Sequence, residues 1–220
     1  MIKLEKVSKI YKFDDETTEA LKEISLTIKK GEFVAIMGTS GSGKSTLLNI
    51  IGCMDTPTSG KYTLEDRIIS GLNSNELSKI RNSKITFVFQ NFALMEKYTA
   101  YENIELPLVN RKLSANERRK RILAVAQQLG IKEQLRKLPK QMSGGQQQRI
   151  ALARVLVSGA EIILADEPTG ALDHKTGSEF MNTLRNLNNE GKTVIVVTHD
   201  STVADYANRI ITISDGRISE

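Results

Sequence analysis

The chain has almost no cysteine, few aromatic residues and no long apolar run. Of 220 residues one is cysteine, two are histidine and none is tryptophan. A lone Cys53 excludes an internal disulfide, and without a Cys/His cluster no thiolate or imidazole metal site is indicated. Aromatic residues make up 5% of the chain. That leaves little to stack on bases, which speaks against a nucleic-acid partner. No apolar stretch approaches the roughly 20 residues of a membrane span. The start, MIKLEKVSKIYK, lacks the apolar core of a signal peptide. These absences predict a soluble, cytoplasmic chain whose link to any membrane passes through another protein. So little follows Asp215–Gly216 that no appended regulatory domain is expected.

What is present is enough apolar material, 40% of residues, for a sizeable core in one domain or in one domain carrying an inserted lobe. The net charge of +5 is mild. Basic residues gather at Arg111–Lys112, Arg118–Arg121 and Arg136–Lys140. These clusters read as solvated helical surface, with an acidic partner or membrane headgroups as the alternative.

Four short apolar runs, Phe33–Met37, Ile85–Phe89, Ile162–Ala165 and Val194–Val197, read as buried strands separated by helical patterns. Such alternation predicts an α/β fold with a mainly parallel sheet covered on both faces. Residues 1–30 differ: Ile2–Val7 and Ile24–Ile28 alternate with period two, the pattern of a half-exposed sheet. Residues 92–157, rich in Lys, Arg, Gln, Leu and Ala, read as helical, with Cys53 placed in an apolar helical stretch earlier in the chain.

GTSGSGKS, residues 38–45, matches G-x-x-x-x-G-K-[ST] in full and lies between a strand and a helix expected to begin near Ser45. The glycines Gly38, Gly41 and Gly43, with Thr39, Ser40 and Ser42, let the backbone N–H groups wrap a phosphate. Lys44 reaches the outer phosphates, Ser45 offers a hydroxyl to Mg²⁺, and Thr46 continues the lining. At the end of the third apolar run stand Asp166 and Glu167, where ligands of open parallel sheets bind. Asp166 suits an outer-sphere role on Mg²⁺, and Glu167 suits polarising a water for in-line attack on a terminal phosphate. Gln90 and His199 end two further strands at the same edge, as candidates for the Mg²⁺ shell and for contact with the γ-phosphate. His174 is read as surface. Tyr11 is a candidate to stack on adenine, with Phe13 as fallback and a merely packed strand aromatic as the alternative.

A second anion device stands about a hundred residues later. Ser143 and Gln146 form an S-x-x-Q pair that opens a helix, and Gly144 and Gly145 expose N–H groups at its positive end.

With these elements in order, the chain resembles an ATP-binding-cassette (ABC) ATPase over essentially all 220 residues. Residues 38–45 resemble its Walker A loop, Tyr11 its adenine-stacking aromatic and Gln90 its Q-loop glutamine. Ser143–Gln146 resembles the signature, Asp166 the end of Walker B, Glu167 the catalytic base and His199 the switch histidine. Ala171-Leu172-Asp173 resembles the D-loop. Met142 replaces a usual leucine and Gly170 stands where many members carry serine. NIIGCMDTPTSG, FVFQNFALMEKYTAYENIELPL and LADEPTGALD are similar to ATPases of the macrolide-efflux and lipoprotein-release kind. The resemblance implies a P-loop (RecA-like) core with a small antiparallel region and an inserted helical lobe, ATP and Mg²⁺ as ligands, and hydrolysis. It implies head-to-tail homodimers in which residues 143–146 of one copy meet the ATP of the other. It also implies a separate permease with a large extracytoplasmic domain, docked near residues 92–101 on the inner face of the membrane. Export, lipoprotein release and force transmission in cell division stay open as its uses. A soluble cassette acting on DNA or ribosomes is disfavoured by the single compact unit. A plain P-loop kinase or GTPase would not need all three of SGGQ, Gln90 and His199.

Overall fold

In the computed structural model, residues 1–14 and 16–219 are described, and the side chain of Phe13, the fallback for base stacking, lies outside that description. In chain order the elements are β1 (Ile2–Phe13), β2 (Glu16–Ile28), β3 (Phe33–Met37), α1 (Lys44–Ile51), β4 (Ser59–Leu64), β5 (Arg67–Ile68), α2 (Ser74–Lys84), β6 (Ile85–Phe89) and α3 (Ala100–Val109). They continue with α4 (Ala115–Gln128), α5 (Gly144–Ser158), β7 (Ile162–Asp166), α6 (His174–Asn189), β8 (Thr193–Thr198), α7 (Ser201–Ala204), β9 (Arg209–Ser214) and β10 (Arg217–Ser219).

Two sheets form. The larger has the order β10-β9-β3-β8-β7-β6, parallel except for the β9–β10 hairpin. Its strands are apolar on both faces because both are covered. Val34, Ile36, Ile195 and Val197 point to one core with α1 and the antiparallel sheet. Phe33, Ile163, Val194 and Val196 point to the opposite core, where Phe180 and Leu184 of α6 pack. Truncating one such side chain, Ile36→Ala for instance, costs about 2–5 kcal/mol.

The smaller sheet, β2-β1-β4-β5, is antiparallel. It reaches beyond residues 1–30, because residues 59–68 supply two more strands. β4 and β5 are joined across Glu65 and Asp66, both at positive φ, as the tightest hairpins require. Cys53 also differs from expectation. Helix α1 ends at Ile51, and Cys53 sits buried in the following turn at φ 55°.

Helices α3 and α4 pack with α5 in a third cluster around Ile104, Ile122 and Ile150. Residues 92–99, expected to be helical, carry no helix. Helix α5 belongs to two cores at once: Ile150, Ala153 and Val157 face the helical lobe, while Leu152 and Val155 face the main sheet. Among the described residues no helix is long and apolar enough to cross a membrane.

Candidate functional site

The parallel register brings the strand ends to one line. Phe89 pairs with Asp166, Asp166 with Val197, and Met37 with Thr198. The next residues, Gln90, Glu167, His199 and Gly38, therefore leave the sheet at the same carboxyl edge, where ligands of open α/β sheets collect.

Residues 38–45 turn from β3 into α1 there. Two of the glycines are sterically required. A Cβ on Gly38 would come within 2.2 Å of the Ile213 carbonyl, and one on Gly43, at φ 103°, within 2.5 Å of the Ala20 carbonyl. The loop is thus wedged between β9 and β2, and Gly216 N–H closes it by donating to Ser42 O at 3.0 Å. A cleft of about 330 Å³ opens beside it, lined by Thr18, Ala20, Gly41, Thr46 and Gly216. The buried Lys44 folds over its own loop, its ammonium donating to Gly38 O at 2.8 Å and Thr39 O at 2.7 Å. An ammonium has three donors, so one hydrogen is left for an anion.

Ser45 Oγ donates to Asp166 Oδ1 at 3.4 Å. Burial pushes the Asp166 carboxyl above the usual range. The Ser45 hydroxyl opposes that shift, neighbouring Glu167 adds to it and Lys44 counters it. Beside it the Glu167 backbone adopts φ 44°, and its N–H donates to Val197 O at 2.9 Å. A strained non-glycine residue at this edge is the kind of feature that concentrates at functional sites. Both carboxylate oxygens are held: Thr198 Oγ1 donates to Oε2 at 3.2 Å, and His199 Nδ1 lies 2.7 Å from Oε1. The imidazole is otherwise largely exposed.

Gln90 lies against the turn after Glu167. A Cβ added to Gly170 would approach Gln90 Nε2 to 2.7 Å, so the glycine gives the amide its room. Asp173 is drawn into local structure, capping α6 through Thr176 N–H at 3.0 Å and the Thr176 hydroxyl at 2.7 Å. His174 is exposed, as its polar surroundings predict. Tyr11 stands on β1 near the start of α1, its hydroxyl donating to Asp55 Oδ2 at 2.8 Å and the Lys9 ammonium 4.9 Å from its ring centroid. Lys9 also pairs with Asp55 at 2.6 Å, which fixes the ring.

No group of three or more His, Cys, Asp or Glu side chains that could hold a metal occurs among the described residues. The hard donors present are Ser45 and Asp166, with Gln90 at the same edge. They fit Mg²⁺, a hard cation that combines one or two carboxylates and other oxygen donors with phosphate oxygens and water.

The second device forms as a capping box. Ser143 Oγ accepts from Gln146 N–H at 3.3 Å and Gln146 Oε1 accepts from Ser143 N–H at 3.0 Å. Gly144 and Gly145 then open α5, and a Cβ at Gly144 would meet nothing within 4 Å. Among the described residues no hydrogen bond joins residues 143–146 to residues 38–45. The structure therefore gathers Gly38–Thr46, Gln90, Asp166, Glu167 and His199 at one edge and leaves Ser143–Gln146 in the helical lobe. Thr198 and the Lys9–Asp55 brace carried no sequence signal.

A family model described as "ABC transporter" matches residues 21–170. The chain is 53% identical over 223 residues to the uncharacterized ABC transporter ATP-binding protein MJ0796 of Methanocaldococcus jannaschii, covering 99% of this chain and 95% of that one. It is 50% identical over 218 residues to the macrolide export ATP-binding/permease protein MacB of Brucella abortus, again over 99% of this chain but 34% of the other. The chain thus spans about a third of that relative's length. A dimeric structure of MJ0796 in a post-hydrolysis state, bound to ADP and Pi, superposes with a TM-score of 0.92 at 50% identity over 100% of this chain and 97% of that one.

Proposed function

The chain belongs to the ABC transporter family as one ATP-binding cassette, and on that premise we propose that it binds and hydrolyses ATP as a head-to-tail homodimer and so drives a membrane-bound partner. The observation that carries this reading is the separation of two anion-binding devices. The phosphate loop and Glu167 lie at the sheet edge, while the Ser143–Gln146 cap opens outward from the helical lobe. A second copy brings the two together.

Residues 38–46 cradle the phosphates, Lys44 turns its remaining donor to the outer ones, and Tyr11 offers its ring to the adenine. Ser45, Gln90 and Asp166 would hold Mg²⁺, which would neutralise charge on the phosphates. Glu167, oriented through both oxygens by Thr198 and His199, polarises the attacking water. Asp173 stands at the interface between copies. Across that interface Ser143, Gly144, Gly145 and the cap with Gln146 meet the γ-phosphate of the other copy, as helix N-termini meet anions. ATP stabilises the closed dimer by the margin with which it prefers closed over open. Loss of the γ-phosphate removes that margin.

The partner is a permease, which holds the cassette at the inner face of the membrane. Met95 and Tyr98 are 50% and 41% exposed, in the same segment whose Asn91, Leu94, Glu96 and Lys97 line, with Leu138 and Pro139, a cleft of about 490 Å³. That cleft mixes apolar lining with Glu96, Lys97 and Lys140, which suits a short amphipathic helix of the permease, and Asn91 places it next in sequence to Gln90. Drug or peptide export, lipoprotein release and force transmission all use such a device, and their cargo is chosen by the permease.

The test is phosphate release from Mg-ATP against protein concentration. A shared site gives a rate per chain that climbs until dimers saturate. A rate per chain independent of concentration would refute it.

A further inference from the structure

Arg154 is a half-buried cation without an acidic partner. Among the described residues no carboxylate pairs with it. Its Nη1 donates to Ala93 O at 2.8 Å and its Nη2 donates to Phe92 O. Withdrawal from water pushes its guanidinium down to about 10, still charged at neutral pH. A charged fork spent on two backbone carbonyls is costly unless those carbonyls must be held.

The two carbonyls belong to residues at φ 56° and φ 44°, a left-handed pair without glycine. Such backbone persists only where its surroundings over-determine it. Phe92 N–H donates to Phe89 O and Ala93 N–H to Asn91 O, so the turn folds tightly on the end of β6 around Gln90. Just beyond, the wholly buried Asn103 takes over. Its side chain bonds Met95 N–H and the carbonyls of Met95, Tyr98 and Thr99. Arg154 sits on α5, eleven residues or about 16 Å along the axis from the Ser143 cap. That helix is packed into both the helical lobe and the main core.

We propose that Arg154 is a positioning residue for Gln90: it clamps the Phe92–Ala93 turn to α5 and so ties the place of Gln90 to that of the helix whose other end carries Ser143. This rests on the reading of Gln90 as a contact of the Mg-nucleotide. The fork matters, because its two nitrogens hold one carbonyl each in a rigid plane, which a flexible lysine stem does not reproduce.

The test uses Arg154→Met and Arg154→Lys in the full chain, with Gln90→Ala as comparator. Amide hydrogen exchange reads the clamp without activity. In Arg154→Met the amides of residues 92–95 are expected to exchange at least tenfold faster, with those of β7 unchanged, and Arg154→Lys is expected to restore only part of the protection. In ATP hydrolysis the Mg²⁺ concentration for half-activation is expected to rise about fivefold in Arg154→Met, while metal-free nucleotide affinity, which reports an intact fold, stays the same. The double variant Gln90→Ala/Arg154→Met is expected to need no more Mg²⁺ than Gln90→Ala alone, since residues acting through one another are non-additive. Unchanged exchange at 92–95, or additive effects in the double variant, overturns the proposal. If Gln90→Ala itself leaves the Mg²⁺ requirement unmoved, the reading of Gln90 is what fails, and the exchange result alone decides the clamp.

Discussion

Nδ1 of His199 lies 2.7 Å from Oε1 of Glu167, although 32 residues separate them in the chain. With its proton on Nδ1, the imidazole donates to a carboxylate already held by Thr198. A base fixed at both oxygens keeps one orientation toward an attacking water. Replacing His199 with Ala removes one of the two holds and leaves the P-loop untouched. ATP hydrolysis is expected to fall by ~10²-fold, with nucleotide affinity within twofold of wild type. A parallel loss of affinity in equilibrium binding would place His199 in nucleotide retention instead.

Ser143 does two jobs that can be separated. It caps α5, and in the proposed dimer it faces the partner copy's phosphate. Ser143→Asp keeps a good cap, so the thermal midpoint is expected to stay within about 2 °C of wild type. The added carboxylate repels the γ-phosphate, and hydrolysis is expected to drop at least tenfold with ATP binding to the monomer retained. Full hydrolysis in this variant would remove the α5 terminus from the mechanism.

Tyr98 stands exposed in the segment whose Asn91, Leu94, Glu96 and Lys97 line the proposed docking cleft. Tyr98→Ala is expected to weaken co-purification with the membrane partner while permease-free hydrolysis stays within twofold. Loss of hydrolysis in the isolated chain would contradict the docking assignment.

Glu161 ties the start of β7 to its surroundings through Lys84 and Lys30 at 2.8 and 2.9 Å. Those hydrogen bonds, first Lys84 and then Lys30, lower its carboxyl from 4.5 to about 2. A depressed carboxyl adds stability above its unfolded value and loses it as pH falls through the folded one. Glu161→Gln is therefore expected to lower the midpoint at pH 7, with the gap closing between pH 4.5 and 2. The cluster is partly solvated, so the loss is at most about 1 kcal/mol, some 2–4 °C. A gap that widens on acidification would give the interaction the wrong sign.

The four buried parallel strands were legible because uninterrupted apolar runs have few other uses, and each carried its edge residue with it. Gln90, Asp166, Glu167 and His199 became a site once the strands were set in register. The segment 59–68 gave no such signal, since SGKYTL alternates weakly and is a strand because β1 pairs with it, and β5 in turn pairs with β4. Composition made residues 92–99 look helical. Phe92 and Ala93 instead take left-handed backbone, their carbonyls bonded to Arg154 far along the chain, and such long-range polar contacts leave no local trace. Thr198 looked like a strand residue and nothing more, because its role depends on the strained turn at Glu167.

The most direct measurement is the size in solution of Glu167→Gln with Mg-ATP. Gln keeps the shape of the side chain but cannot accept a proton, so ATP stays whole and the closed state is not released. The account predicts a species of twice the chain mass that returns to monomer when ATP is replaced by ADP. A variant that binds ATP and remains monomeric at every concentration tested would contradict it.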